Sequence, residues 1–80
     1  MSTRFQEQRP LARRISYLRW SACLSRSELA ERAGISRHLI QSLEQGRIAN
    51  PKLRTLLSLA RALNIGLAEF LLDVHEENCN

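Results

Sequence analysis

The stretch from Ser25 to Gly46 constrains this chain most, because two helix starts and two helix stops follow one another there. Ser25-Arg26-Ser27-Glu28 has the spacing of a capping box, in which the serine hydroxyl accepts from the Glu28 amide and the Glu28 carboxylate reaches back. The helix it opens would bury Leu29, Ala30 and Ala33. Gly34 closes it, since glycine takes the left-handed conformation at a helix end without a Cβ penalty. Ser36 caps the next helix, whose inner face is Ile40 and Leu43, Ile35 plugs the corner between the two, and Gly46 ends the second.

Elsewhere apolar residues also recur at spacings of three and four, and no stretch alternates apolar with polar residues between hairpin turns, so the expected class is all-α. A first helix runs from about Pro10 to Ser21 on the stripe Leu11, Ile15, Leu18 and Ala22, with Tyr17 and Trp20 read as core or half-buried packing. Asn50-Pro51 starts a fourth, Asn50 acting as cap, with Leu53, Leu56, Leu57, Leu59, Ala60 and Leu63 as a broad apolar face and Asn64 as the stop. Gly66 precedes a short fifth segment from Leu67 to Leu72. A chain of 80 residues removes only about 60% of its unfolded surface from water, which allows one core. The expected organisation is a flexible arm over residues 1–10, a compact five-helix domain over 11–72 and a short acidic tail over 73–80.

Several function classes drop out. No apolar run approaches the roughly 18 residues of a membrane span, and the first ten residues lack the apolar stretch of a signal peptide, so a cytoplasmic protein is expected. Cys23 and Cys79 form neither a disulfide framework nor a CxxC knuckle and are expected to be free thiols. His75 and Cys79 are four apart, but two ligands in a polar tail do not make a metal site, and no metal or other cofactor is expected. Catalysis would need convergent acid, base or nucleophile groups, whereas the two histidines, His38 and His75, lie on the third helix and in the tail. The chain is not read as an enzyme.

Charge points to a polyanion. Eleven Arg and one Lys against eight acidic residues leave a net charge of +4, distributed as +5 over residues 1–47 and −1 over residues 48–80. Arginine favours forked hydrogen bonds to phosphates and guanine edges. A corner of three or four residues sets the third helix at about 90 to 120° to the second and leaves its outer face bare. That face carries Ser36, Arg37, His38, Gln41, Ser42 and Gln45, all able to hydrogen-bond to a phosphate or a base edge, and an α-helix fits the major groove of DNA.

The order and spacing of these pieces closely resemble the lambda-repressor/Cro-like helix-turn-helix family, also called the XRE family, over about residues 11–72. The resemblance rests on Leu24-Ser25-Arg26-Ser27-Glu28-Leu29-Ala30, Ala33-Gly34-Ile35-Ser36, IQSLEQG over 40–46, Asn50-Pro51 and LLSLARALNIGLAEFL over 56–71. It implies a five-helix lambda-repressor-like domain, usually a homodimer on a palindromic operator, with the third helix reading the major groove. It further implies that Arg19 and Glu44 pair to tie the first helix to the third. Arg26 stands where members typically have a Gln that touches the DNA backbone. Arg26 would serve there as a phosphate clamp, and whether it also makes the bridge a Gln makes to the next helix is left open. Cys23 stands where a Gly often ends the first helix, and Lys52 replaces the usual Ser cap of the fourth.

The candidate base-reading residues are therefore Arg37, His38, Gln41 and Ser42, and the candidate phosphate contacts are Ser25, Arg26, Ser36, Gln45, Arg47, Asn50 and Lys52. Arg4 and Arg9 could follow the backbone from the arm. A lone module covers little DNA, and Leu67, Phe70, Leu71, Leu72 and Val74 are more apolar residues than so short a segment can turn inward, so Leu67, Phe70, Leu71 and Val74 are the expected dimer seam. The expected function is a sequence-specific double-stranded DNA-binding transcription regulator, a homodimeric repressor or restriction-modification controller. Two other uses of the fold stay open: an antitoxin that binds a toxin protein and regulates its own promoter, and an interaction bundle that does not bind DNA.

Overall fold

The computed structural model describes residues 10–71, in which five helices follow one another without a strand: α1 (Pro10–Ser21), α2 (Arg26–Ala33), α3 (Arg37–Glu44), α4 (Leu53–Ala62) and α5 (Leu67–Phe70). The arm with Arg4 and Arg9 and the positions Leu72, Val74, His75 and Cys79 lie outside the described residues. The helix pair α2–α3 packs tightly on itself, α1 lies against α3, α4 against α2, and α5 against α4. One core results, built on Ile15, Leu24, Leu29, Ala30, Ile40, Leu43, Leu59, Ala60 and Phe70.

Local hydrogen bonding explains where the helices begin and end. The Ser25 hydroxyl accepts from the Glu28 amide at 3.0 Å while the Ser25 amide donates to the Glu28 carboxylate at 2.8 Å, which completes the capping box of α2. Ser36 caps α3 by accepting from the Leu39 amide at 3.0 Å. The first four helices all stop in the same way. Cys23, Gly34, Gly46 and Asn64 each take positive φ, between 60° and 73°. At each, the amide of that residue and of the next turn back onto carbonyls of the last turn, as Gly34 does to Glu31 and Ile35 to Ala30. After three of these turns the next residue is apolar, and Leu24, Ile35 and Ile65 all pack into or against the core. The chain reversal and the plug beneath it are thus one local device used three times.

Several expectations change. Tyr17 and Trp20 are 60% and 71% exposed instead of packed. At about 100° per residue they sit roughly 200° and 140° around the helix from the buried Ile15, so the face that meets α3 cannot include them. The buried positions of α1 are Ala12, Ile15 and Arg19, while Ala22, expected on the stripe, is exposed beyond the end of the helix. α4 begins two residues later than expected, with Lys52 rather than Asn50 at the cap position and no side-chain cap. Its apolar face is wider than α2 and α5 can cover, which leaves Leu53 60% exposed and Leu57 also outside.

α5 is short and faces inward. Phe70 is fully buried, so it has no surface to offer a second copy, and its place in the expected dimer seam is corrected to a core position. Leu67 and Leu71 are half-buried against the same core. Arg14 holds the end of α5 from across the molecule. Its Nε donates to the Phe70 carbonyl at 3.1 Å and its Nη2 to the Glu69 carbonyl at 2.9 Å, supplying donors to carbonyls that a helix end leaves unpaired.

Candidate nucleic-acid interface

α3 presents one face to the core and another to solvent. Ile40 and Leu43 are buried, so Arg37, His38 and Gln45 stand exposed and Gln41 and Ser42 lie half-exposed beside them. The corner at Gly34 sets this orientation, and the cap at Ser36 keeps the first turn of α3, which carries Arg37 and His38, regular.

Behind that face lies a three-residue ion network. Arg19 grips Glu44 with two donors, Nε to Oε2 at 2.6 Å and Nη2 to Oε1 at 3.1 Å, and its Nη1 donates to the Leu24 carbonyl at 2.9 Å. The Nε of Arg26 adds a third hydrogen bond to Glu44 Oε1 at 3.0 Å. Both Arg19 and the Glu44 carboxylate are nearly inaccessible to water. Burial works against the Glu44 charge, yet the hydrogen bonds and charges of Arg19 and Arg26 outweigh it and hold the carboxyl below its ordinary range. The network ties α1, α2 and α3 together at one point. It also neutralises the acidic side chain at the end of α3.

The candidate phosphate contacts occupy the rim. The Ser25 and Ser36 hydroxyl oxygens accept from their own helices, and the Ser36 hydroxyl keeps a proton that can donate outward. Arg47 is exposed just past the end of α3, and Asn50 and Lys52 line a cavity of about 390 Å³ between α3 and the start of α4, opposite Leu39 and Leu43. Arg26 makes the bridge to α3 that the sequence left open, and does so through Glu44. Its side chain remains 37% exposed, on the same edge as Ser25 and Arg37.

A two-helix unit with a glycine corner and a polar, basic outer face is a recognition unit for nucleic acid in geometry, and a comparison with known families decides which. The helix-turn-helix family model HTH_3 matches residues 22–70, more than half of the chain. The chain belongs to that family. The helix-turn-helix is α2–α3, and the matched region covers both along with α4 and α5. HTH_3 domains are DNA-binding, non-catalytic modules of sequence-specific regulators. No curated protein and no solved structure matches the chain. No helix among the described residues is long and apolar enough to cross a membrane.

Sequence reasoning did not identify Arg14 as the anchor of α5, nor the three-way character of the Arg19–Glu44–Arg26 network. A signal for the position of Trp20 was present, because its angular distance from Ile15 places it on the outer side of α1.

Proposed function

We propose that this helix-turn-helix protein is a homodimeric transcription regulator that reads a palindromic operator through α3, with the action of a repressor or of a restriction-modification controller. The observation that carries the reading is the exposed first turn of α3, where Arg37 and His38 stand clear of the core with Gln41 and Ser42 one turn behind. In the major groove Arg37 would donate its fork to guanine O6 and N7, and His38, Gln41 and Ser42 would supply donors and acceptors to neighbouring pairs. Ser25, Ser36, Gln45, Arg47, Asn50 and Lys52 would fix register on phosphates, with Arg26 joining them through its exposed part. The N-terminus of α4 supports this assignment, since no side chain caps its first-turn amides and Lys52 stands beside them.

A dimer places two recognition helices about 34 Å apart, one turn of duplex, and roughly doubles the contact. With Phe70 inside, the surface assigned to the second copy is the exposed pair Leu53 and Leu57, one turn apart on α4.

The test is selection of bound duplexes from a random pool, followed by binding of variants across a salt series. Arg37→Ala is expected to lose about 1 to 3 kcal/mol on the selected operator and much less on operators changed at its base pair. Lys52→Ala is expected to weaken selected and unrelated duplexes alike and to reduce the salt dependence by about one ion. Uniform loss from Arg37→Ala would move base reading to His38, Gln41 or Ser42. Indifference of every duplex to both variants would sink the DNA-binding reading, and a stoichiometric co-purifying protein would point to an antitoxin.

A further inference from the structure

An exposed tryptophan on a small domain has to be explained, because an indole in water forgoes a large burial gain. Trp20 is 71% exposed, yet it is held in place. The Arg19 guanidinium lies 5.3 Å from the centroid of its ring, and Arg19 is itself anchored by Glu44 and the Leu24 carbonyl. The ring therefore stands on a fixed support.

Trp20 also forms one wall of a cavity of about 750 Å³ between the end of α1, the start of α2 and the start of α3. The opposite walls carry Ser25, Ser27, Arg26 and Arg37, and none of the lining residues is acidic. An apolar plate with an N–H at its edge, two hydroxyls and two guanidiniums match a deoxyribose flanked by phosphates. The sugar is the apolar surface for the indole, and the phosphate oxygens are acceptors for the indole N–H and the guanidiniums. The cavity also adjoins Arg37, the residue assigned above to the major groove.

We infer that the cavity between Trp20, Arg26 and Arg37 takes the sugar-phosphate backbone of DNA at the edge of the half-site, with Trp20 as a backbone-contacting residue contributed by α1. The inference rests on the reading of α3 as the recognition helix. It extends the contact surface beyond the helix-turn-helix to a helix that otherwise serves as scaffold. Because sugar and phosphate are common to all sequences, Trp20 adds affinity and register without adding specificity.

The chain has one tryptophan, so its emission reports this site alone. The full chain is titrated with a fluorescein-labelled duplex of about 30 base pairs carrying a selected operator, and with an unrelated duplex of the same length, at low salt. Label anisotropy follows binding, while emission and acrylamide quenching follow Trp20. Emission is expected to change and quencher access to fall in step with anisotropy on both duplexes. Trp20→Ala is expected to lose about tenfold in affinity on both, leaving their ratio unchanged. Trp20→Phe, which keeps a ring and lacks the N–H, is expected to fall between. Far-UV circular dichroism and melting check that both variants remain folded.

If the wild-type protein binds but Trp20 emission and quenching stay constant, or if Trp20→Ala binds as well as wild type, the inference is overturned while the α3 reading stands. Loss confined to the operator would also overturn it, because Trp20 would then be reading bases. Failure of the wild-type protein to bind any duplex would overturn both.

Discussion

Arg19 and Glu44 face each other across α1 and α3 as a two-pronged ion pair closed at 2.6 and 3.1 Å, almost entirely shielded from water and 25 residues apart in the chain. Desolvating two charges is costly, and the pair is tolerated because the donors and acceptors around it are satisfied by Leu24 and Arg26 as well as by each other. No buried side-chain polar atom among the described residues lacks a partner.

Removing one member should be worse than removing both. Glu44→Ala leaves the Arg19 guanidinium buried without its counter-ion and is expected to cost about 3 kcal/mol in urea unfolding. Arg19→Met combined with Glu44→Leu should recover most of that loss. A double variant as unstable as Glu44→Ala would show that hydrogen bonds to the backbone, rather than the unpaired charge, dominate.

The same pair predicts acid sensitivity. The Glu44 carboxyl in the folded protein lies below its ordinary value of 4.5, so its contribution is fully present above that value and is lost as pH falls through the folded one. Unfolding free energy should therefore decline on acidification from about pH 4.5 downward. Glu44→Gln, although less stable at neutral pH, should show a shallower decline over that range. Parallel profiles for the two proteins would mean that Glu44 titrates as it does in the unfolded chain. Glu28, held low mainly by hydrogen bonds from the Ser25 backbone and side chain, adds a slope in the same direction that both proteins share.

Cys23 and Gly34 occupy equivalent turns with opposite residue types. Cys23 has φ of 60°, a conformation that costs an L-residue roughly 1 kcal/mol and glycine almost nothing. Cys23→Gly is expected to raise stability by up to about 1 kcal/mol, the turn geometry being unchanged. Gly34→Ala should lower it by about the same amount. A Cβ at Gly34 meets nothing within 4 Å, so the loss would be conformational and not steric. Melting temperatures that move together in the two variants would contradict this account.

Leu53 and Phe70 separate association from folding. Leu53→Glu, on an exposed side chain, is expected to leave the circular dichroism spectrum and denaturant midpoint of dilute protein near wild type while converting a dimer to a monomer in sedimentation. Phe70→Ala empties a fully buried site and should cost about 3 to 5 kcal/mol. A wild-type protein that sediments as a monomer at high micromolar concentration would remove the second copy from the scheme. A Leu53→Glu dimer would move its seam elsewhere.

The sequence by itself determined the helices and most of their ends, because those depend on hydrogen bonds between residues three to five apart; the exception is the start of α4, where no side chain caps the helix. The Ser25–Glu28 box, the Ser36 cap, the left-handed turns at Gly34 and Asn64 and the inward faces of α2 and α3 all follow from chemistry within one turn. The outward position of Arg37 and His38 follows too, once Ile40 and Leu43 are known to face in. Tertiary structure decided which of several apolar surfaces would be covered. Tyr17, Trp20 and Leu53 are apolar or aromatic like residues that were buried, but apolarity states only what a side chain gains from a neighbour, and no helix among the described residues packs over those positions. Phe70 went the other way because α5 folds onto α4 and Arg14 reaches over to hold its end. Likewise Arg26 meets Glu44 only when the corner at Gly34 brings α2 across α3, so the geometry that binds three helices behind the outer face of α3 exists in the folded chain alone.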